Sequence, residues 1–139
     1  MLEYEVEHFL YKSPVWLYFV NRHFLTTFFN GFYPHIIHED HLFTIPLHLY
    51  AHRACYMPQM FFKRRIREKS IMSSRFSMKN IDGYAVTIQS LLELSAEHNE
   101  WKDVIENVLK KMINAIIWEG HRLSWRDKCI TFWLFLKNG

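Results

Sequence analysis

The apolar positions of this chain recur at helical rather than strand spacing. The clearest stretch is 99–118. Val104, Ile105, Val108, Leu109, Met112, Ile113, Ile116 and Ile117 share one face, and Lys102, Asp103, Glu106, Lys110 and Lys111 occupy the other. This pattern predicts an amphipathic helix capped by Asn99. Before it, Tyr84 to His98 carries Val86, Ile88, Leu91, Leu92, Leu94 and Ala96 among few polar residues, so a central buried helix is expected there, opened by Asp82-Gly83. Near the start, Leu2, Val6, Phe9 and Leu10 fall on one face of a short helix over Leu2 to Lys12. Ser13-Pro14 reads as a cap and first-turn proline. The helix it opens is expected to run to about Asn30, with Gly31 as its stop, and to be largely buried because it is apolar nearly all round.

Other segments are less periodic. Phe32 to Thr44 reads as a loop, marked by Pro34 and by His35, His38, Glu39, Asp40 and His41. A third helix is expected from about Thr44-Ile45-Pro46 through Leu47, Leu49, Tyr50, Ala51 and Ala54 to Pro58. Another turn follows over Gln59 to Lys69, and at most irregular turns over Ser70 to Ile81. At the far end, Trp118-Glu119-Gly120-His121-Arg122-Leu123-Ser124-Trp125 reads as a corner. Ser124 caps a last helix to about Leu136, with Asp127 in its first turn. The pattern predicts an all-α fold, one domain over 1–139, with a central hydrophobic helix at about 84–98 wrapped by amphipathic helices.

Composition narrows this further. With half of its 139 residues apolar and 17% aromatic, the chain can bury a core and disorder is excluded. Four Gly and four Pro are too few for a turn-rich β-sandwich. Cys55 and Cys129 lack motif spacing and read as buried, reduced thiols, with a single disulfide as the alternative. Glu3, Glu5 and Glu7 stand where a signal peptide would be basic. Val15 to Tyr33 is interrupted by Asn21, Arg22, His23 and Asn30, and Cys129 to Leu136 is too short, so no intrinsic membrane span is expected.

Candidate chemistry is sparse. His48 and His52 have the four-residue spacing of a zinc pair, but a third ligand is missing at motif spacing, and Leu49 stands where a metalloprotease carries Glu. No metal and no cofactor are therefore expected. Lys63, Arg64, Arg65, Arg67 and Lys69 interleave with Phe61, Phe62 and Ile66. The net charge is only +3, so this run reads as a solvated face, and nucleic-acid binding through 63–69 is the alternative rather than the favoured function. Without a phosphate loop or a nucleophile–base motif, enzyme activity is not expected. Twelve Phe, seven Tyr, five Trp and six Met suit either a large core or an exposed apolar groove or dimer surface.

The corner resembles the second homology motif of the Bcl-2 family of apoptosis regulators. Trp118 and Trp125, seven residues apart around Gly120, take the positions of that motif's paired tryptophans, with Ile130 and Phe132 following. Ile81-Asp82-Gly83-Tyr84 aligns with the family's Asn-Trp-Gly-Arg signature at the start of its central helix, keeping the Gly alone. Leu47-His48-Leu49-Tyr50-Ala51-His52 keeps the Leu and the small residue of the third motif, with His in place of its acid. The compact, divergent chain is similar to the viral members of the family, those of large DNA viruses. The resemblance implies a Bcl-2-like helical bundle that inhibits host apoptosis in the cytoplasm, recruited to the mitochondrial surface. Its partners would be pro-apoptotic proteins such as Bim, Bak or Bax, whose BH-3 helix lies in a hydrophobic groove; an exposed groove also suits a homodimer. The implied groove floor is Gly83, Tyr84, Thr87 and Ile88, and the implied walls are Met57, Phe61, Phe62, Met72, Phe76 and Ile81. Arg64, Arg75 or Lys79 would replace the signature Arg that Tyr84 displaces. On this reading Gly83→Glu would block a ligand and spare the fold.

Overall fold

The computed structural model describes residues 11–29, 31–61, 63, 65 and 75–138, and all regular structure among them is helical. Five α-helices follow in order: α1 (Arg22–Phe28), α2 (Glu39–Tyr50), α3 (Met78–Glu97), α4 (Lys102–Gly120) and α5 (Trp125–Asn138). Single 3₁₀ turns occupy Val15–Leu17 and Asn99–Trp101. The expected helix over Leu2 to Lys12 lies almost wholly outside the described residues, as do Phe62, Arg64, Arg67, Lys69 and Met72.

Central placement of α3 is the main feature. It packs against α2, α4, α5 and the turn Asn99–Trp101. It begins six residues earlier than Asp82-Gly83 suggests, because Ser77 and Asn80 close its first turn: the Ser77 N–H donates to Asn80 Oδ1 at 3.0 Å. Gly83 therefore sits inside the helix, where a glycine costs about 1 kcal/mol relative to alanine. Its environment explains its presence. A Cβ there would overlap the carbonyl oxygen of Ile37 and lie 3.0 Å from that carbonyl carbon. The backbone of the loop entering α2 thus lies directly on the backbone of α3. One turn on, the Thr87 hydroxyl donates to the Gly83 carbonyl at 2.9 Å, and Thr87 and Leu91 are buried.

Two groups of buried side chains flank α3. Ile45, Leu91, Ile105, Val108, Leu109 and Met112 join α2, α3 and α4. Ile81, Ile116 and Leu123 join the start of α3, the end of α4 and the corner. Tyr84 and Ile88 pack against both groups and make the core continuous.

The corner forms as its sequence predicts. Ser124 Oγ accepts the Asp127 N–H at 3.1 Å and donates to Asp127 Oδ2 at 2.8 Å. Leu123 turns inward while Glu119 pairs with Arg122 at 2.9 Å and Arg75 donates to the Arg122 carbonyl at 2.9 Å.

The first half departs from expectation. No continuous helix runs from Ser13 to Asn30. Val15, Trp16, Tyr18, Phe19 and Val20 are aromatic or β-branched and favour helix weakly. Asn21 then starts a new helix by accepting the N–H groups of His23 and Phe24 at 2.9 and 3.3 Å. Nor is this region largely buried: Trp16, Leu17, Phe19 and Phe28 are exposed. Helix α2 begins at Glu39 instead of near Thr44, because Glu39 and Asp40 place acid at its positive end and His38, at φ 74°, turns the chain into it. It ends at Tyr50, so 51–58 is not helical, and residues 59–61, 63 and 65 are not helical either. Stacking of Phe28 on Tyr50, with Tyr50 edge-on to Trp101, ties α1 and α2 to the α3–α4 turn. Cys55 and Cys129 are both free and exposed, contrary to the buried reading: one lies beyond α2, the other on the outer side of α5.

Gly83→Ala should lower the stability of the chain by about 2 kcal/mol or more, because the backbone of Ile37 has to give way. Gly120→Ala, with open space around it, should be neutral or stabilising. Urea unfolding midpoints of the two variants check this; equal midpoints for Gly83→Ala and the parent chain would contradict the close approach.

Candidate functional site

Two tilted helices that meet at a corner leave a wedge between them unless large side chains fill it. Here α4 and α5 diverge from the Glu119–Ser124 turn, and the wedge opens onto the first turn of α3. It forms a half-open cavity of about 500 Å³. Ile81 supplies its base. Ile113, Ile116, Ile117 and Gly120 supply the α4 side, Leu123 the corner, and Lys128, Thr131, Phe132 and Phe135 the α5 side. Spacings of three and four place each helix's contributions on one stripe. The lining is almost wholly apolar, with Lys128 and His121 as its basic members. Ile113, Ile117 and Phe132 are exposed, so the cavity surface is continuous with solvent. A smaller hollow of about 280 Å³ lies between Gly31, Tyr33, Leu42, Pro46 and the second half of α3.

The implied groove residues do not all come together. Phe76, Ile81, Tyr84 and Ile88 come together around the Ile81–Ile116–Leu123 cluster. Of these, Ile81 lines the cavity. Gly83 and Thr87 are brought close but face inward: Gly83 lies beneath the Ile37 backbone, and Thr87 is fully buried with its hydroxyl on its own helix. Gly83→Glu would therefore disrupt the fold rather than spare it, because the space above Gly83 is already filled by the chain. Met57 and Phe61 lie beyond α2, both exposed, and Phe61 makes an edge contact with Phe19 at 5.6 Å. Phe62, Met72 and Arg64 lie outside the described residues, while Lys63 and Arg65 of the basic run are exposed. Arg75 is committed to the corner carbonyl, and Lys79 is exposed. Trp118 and Trp125 flank the corner with their rings in solvent and do not line the cavity.

Ile113, Ile117, Leu123, Lys128 and Phe132 line the cavity although none of them was expected at the groove. The signal was present. Ile113 and Ile117 sit at the edge of the α4 apolar stripe, where it is wider than one neighbouring helix covers.

A second cluster surrounds the Ile37–Gly83 approach. The His38 ring stacks on Tyr84 with centroids 4.2 Å apart, and His38 Nε2 lies 3.4 Å from Asn80 Nδ2. His41 lies 6.1 Å from His38, ring to ring, and its Nδ1 is 3.4 Å from the Tyr11 hydroxyl. Tyr11 also bonds Thr44 Oγ1 at 2.6 Å. Burial pushes His41 down to about 4, with the His38 charge adding to the effect. Burial lowers His38 as well, against the opposing pull of Glu39, and it lowers His48 one turn below Thr44. Burial raises Tyr84, with Glu119 acting in the same direction, and raises Asp40, helped by Glu39. Among the described residues, no group of three or more His, Cys, Asp or Glu is gathered as for a metal ion.

No protein-family model, curated protein or solved structure matches the chain.

The histidine cluster makes stability depend on pH. Above 6.5, His41 is neutral folded and unfolded, and contributes no pH dependence. Below 6.5 the unfolded chain takes up a proton that the folded chain refuses until about 4. Stability should therefore fall between those two values, by about 3 kcal/mol from His41 alone. Urea midpoints at pH 7 and pH 4 measure the loss, and His41→Phe should shrink it. A pH-independent midpoint over that range would contradict the buried, neutral His41.

Proposed function

We propose that this chain is a non-catalytic binding protein that takes the apolar face of a partner's amphipathic helix into the cavity between α4 and α5. The cavity itself carries the reading. Its volume of about 500 Å³ lies within the range of about 300–1,000 Å³ common to ligand sites. Its walls are rows of Ile and Phe on two diverging helices, a shape that accepts side chains at helical spacing. Exposed Ile117 and Phe132 at its rim offer apolar area that gains stability only when covered.

The resemblance of the Trp118–Trp125 corner to the Bcl-2 family supplies the partner class. On that reading the ligand is the BH-3 helix of a pro-apoptotic host protein such as Bim, Bak or Bax, and sequestering it blocks apoptosis. The ligand's invariant acid needs a counter-charge that Tyr84, half-buried against His38, does not provide. Lys128 is the cation placed at the cavity wall, and it takes that role in the proposal. The binding surface thus shifts from the Gly83–Thr87 stretch of α3 to the junction of α3, α4 and α5.

Titration with BH-3 peptides tests this. The chain should bind at least one of them at roughly micromolar strength or better. Ile117→Glu, at an exposed rim position, should weaken binding by about tenfold or more while leaving the circular dichroism unchanged, and Lys128→Ala should cost several-fold. Absence of affinity for every peptide at roughly tens of micromolar would refute the proposal. Full binding by Ile117→Glu would place the ligand elsewhere on the chain.

A further inference from the structure

Part of the exposed surface of α5, made by Trp125, Leu136, Cys129 and Trp133, has no use in the reading above. Taken at about 100° per residue, Trp125, Leu136, Cys129 and Trp133 fall within an arc of about 80°, and Phe132 of the cavity rim lies at its edge. All five are exposed, with Trp125 at 81% and Trp133 at 70%. Arg126 borders the arc on one side and Lys128, shared with the cavity wall, on the other, and neither forms an ion pair among the described residues. The helix's acid, Asp127, points the other way and is held by Ser124. The result is a convex apolar stripe, rich in indole and flanked by cations, without an acid on its face.

We propose that this face of α5 docks the protein onto an anionic membrane surface, lying in the interface rather than crossing it. Indole rings combine a large apolar body with an N–H that stays among headgroups, and they are enriched at that depth. Flanking Arg and Lys reach outward to phosphate while their stems cover the apolar edge. The net charge of +3 adds attraction to an anionic leaflet. Length agrees: fourteen residues span about 21 Å, short of a hydrocarbon layer of about 30 Å, and none of the described helices is long and apolar enough to cross a membrane. A second copy fits this face less well. Two-fold packing of the same stripe would bring the basic flanks of both copies together.

The full chain is mixed with vesicles of phosphatidylcholine containing about one-third phosphatidylserine and, separately, of phosphatidylcholine alone. Co-sedimentation and the tryptophan emission maximum are read. The expected result is partition into the anionic vesicles with a blue shift, at least about tenfold weaker on the neutral ones and on raising salt from about 0.05 M to about 0.5 M. Trp125→Ser with Trp133→Ser should reduce partition by about tenfold or more. Arg126→Glu should reduce it several-fold, with unchanged circular dichroism in both cases. Equal partition of the double variant and the parent chain overturns the proposal, as does failure to bind either vesicle. A solution dimer that the double variant converts to monomer, without vesicle binding, overturns it in favour of a face between two copies.

Discussion

The Ile37 carbonyl lies where Gly83 has no side chain, and the position of α3 follows from that contact. Backbone meeting backbone at this distance draws the loop entering α2 down onto the first half of α3. His38 is thereby seated on Tyr84, and Thr44 and Ile45, about two turns further along, are carried into the interior. With that side of α3 covered, Leu91 and Ile88 are left to meet α4, and Ile81 to meet the corner. A larger side chain at 83 would separate α2 from α3 and undo all three. The cost of a mid-helix glycine is accepted where close packing returns more than the lost propensity.

The same arrangement explains where apolar surface is left over. The interior is satisfied by Ile45, Ile81, Leu91, Ile105, Val108 and their neighbours, while many Phe, Trp and Ile side chains remain outside it. These outer residues are not scattered evenly. Ile113, Ile117 and Phe132 rim one cavity, and Trp125, Trp133 and Leu136 line the adjoining outer side of the α5 helix. Apolar area concentrated in this way is poorly accounted for as a by-product of composition, and covering it by a partner would release the water that it orders. In the proposed reading α5 therefore faces two ways, toward a ligand helix on its inner flank and toward a lipid surface on its outer one.

Much of the second half could be read from the residues. The apolar stripe of α4, the Ser124 cap and the Trp125 start of α5 rest on local periodicity and on a side chain three residues from its partner, and local rules settle such features. The start of α3 was less legible, because Asp82-Gly83 looks like a helix opening whereas the first turn is closed by Ser77 with Asn80. Only the tertiary contact at Ile37 explains why Gly83 lies inside the helix. The first half was hardest: Val15 to Phe29 is apolar enough for a buried helix, but aromatic and β-branched residues gave way to an Asn21 cap. The site was half legible. Phe76, Ile81, Tyr84 and Ile88 do cluster, yet which of them faces solvent depends on the divergence of α4 from α5, and no local pattern encodes that angle.

In the proposed complex a partner helix enters between α4 and α5 and not across Gly83. Amide and methyl chemical-shift mapping of the labelled chain during addition of a BH-3 peptide tests it most directly. The largest changes should fall on Ile81, Ile113, Ile117, Leu123 and Lys128, with Gly83, Thr87 and His38 left nearly unmoved. Changes centred on Gly83 and Tyr84 and on Met57 and Phe61, with the cavity silent, would contradict it.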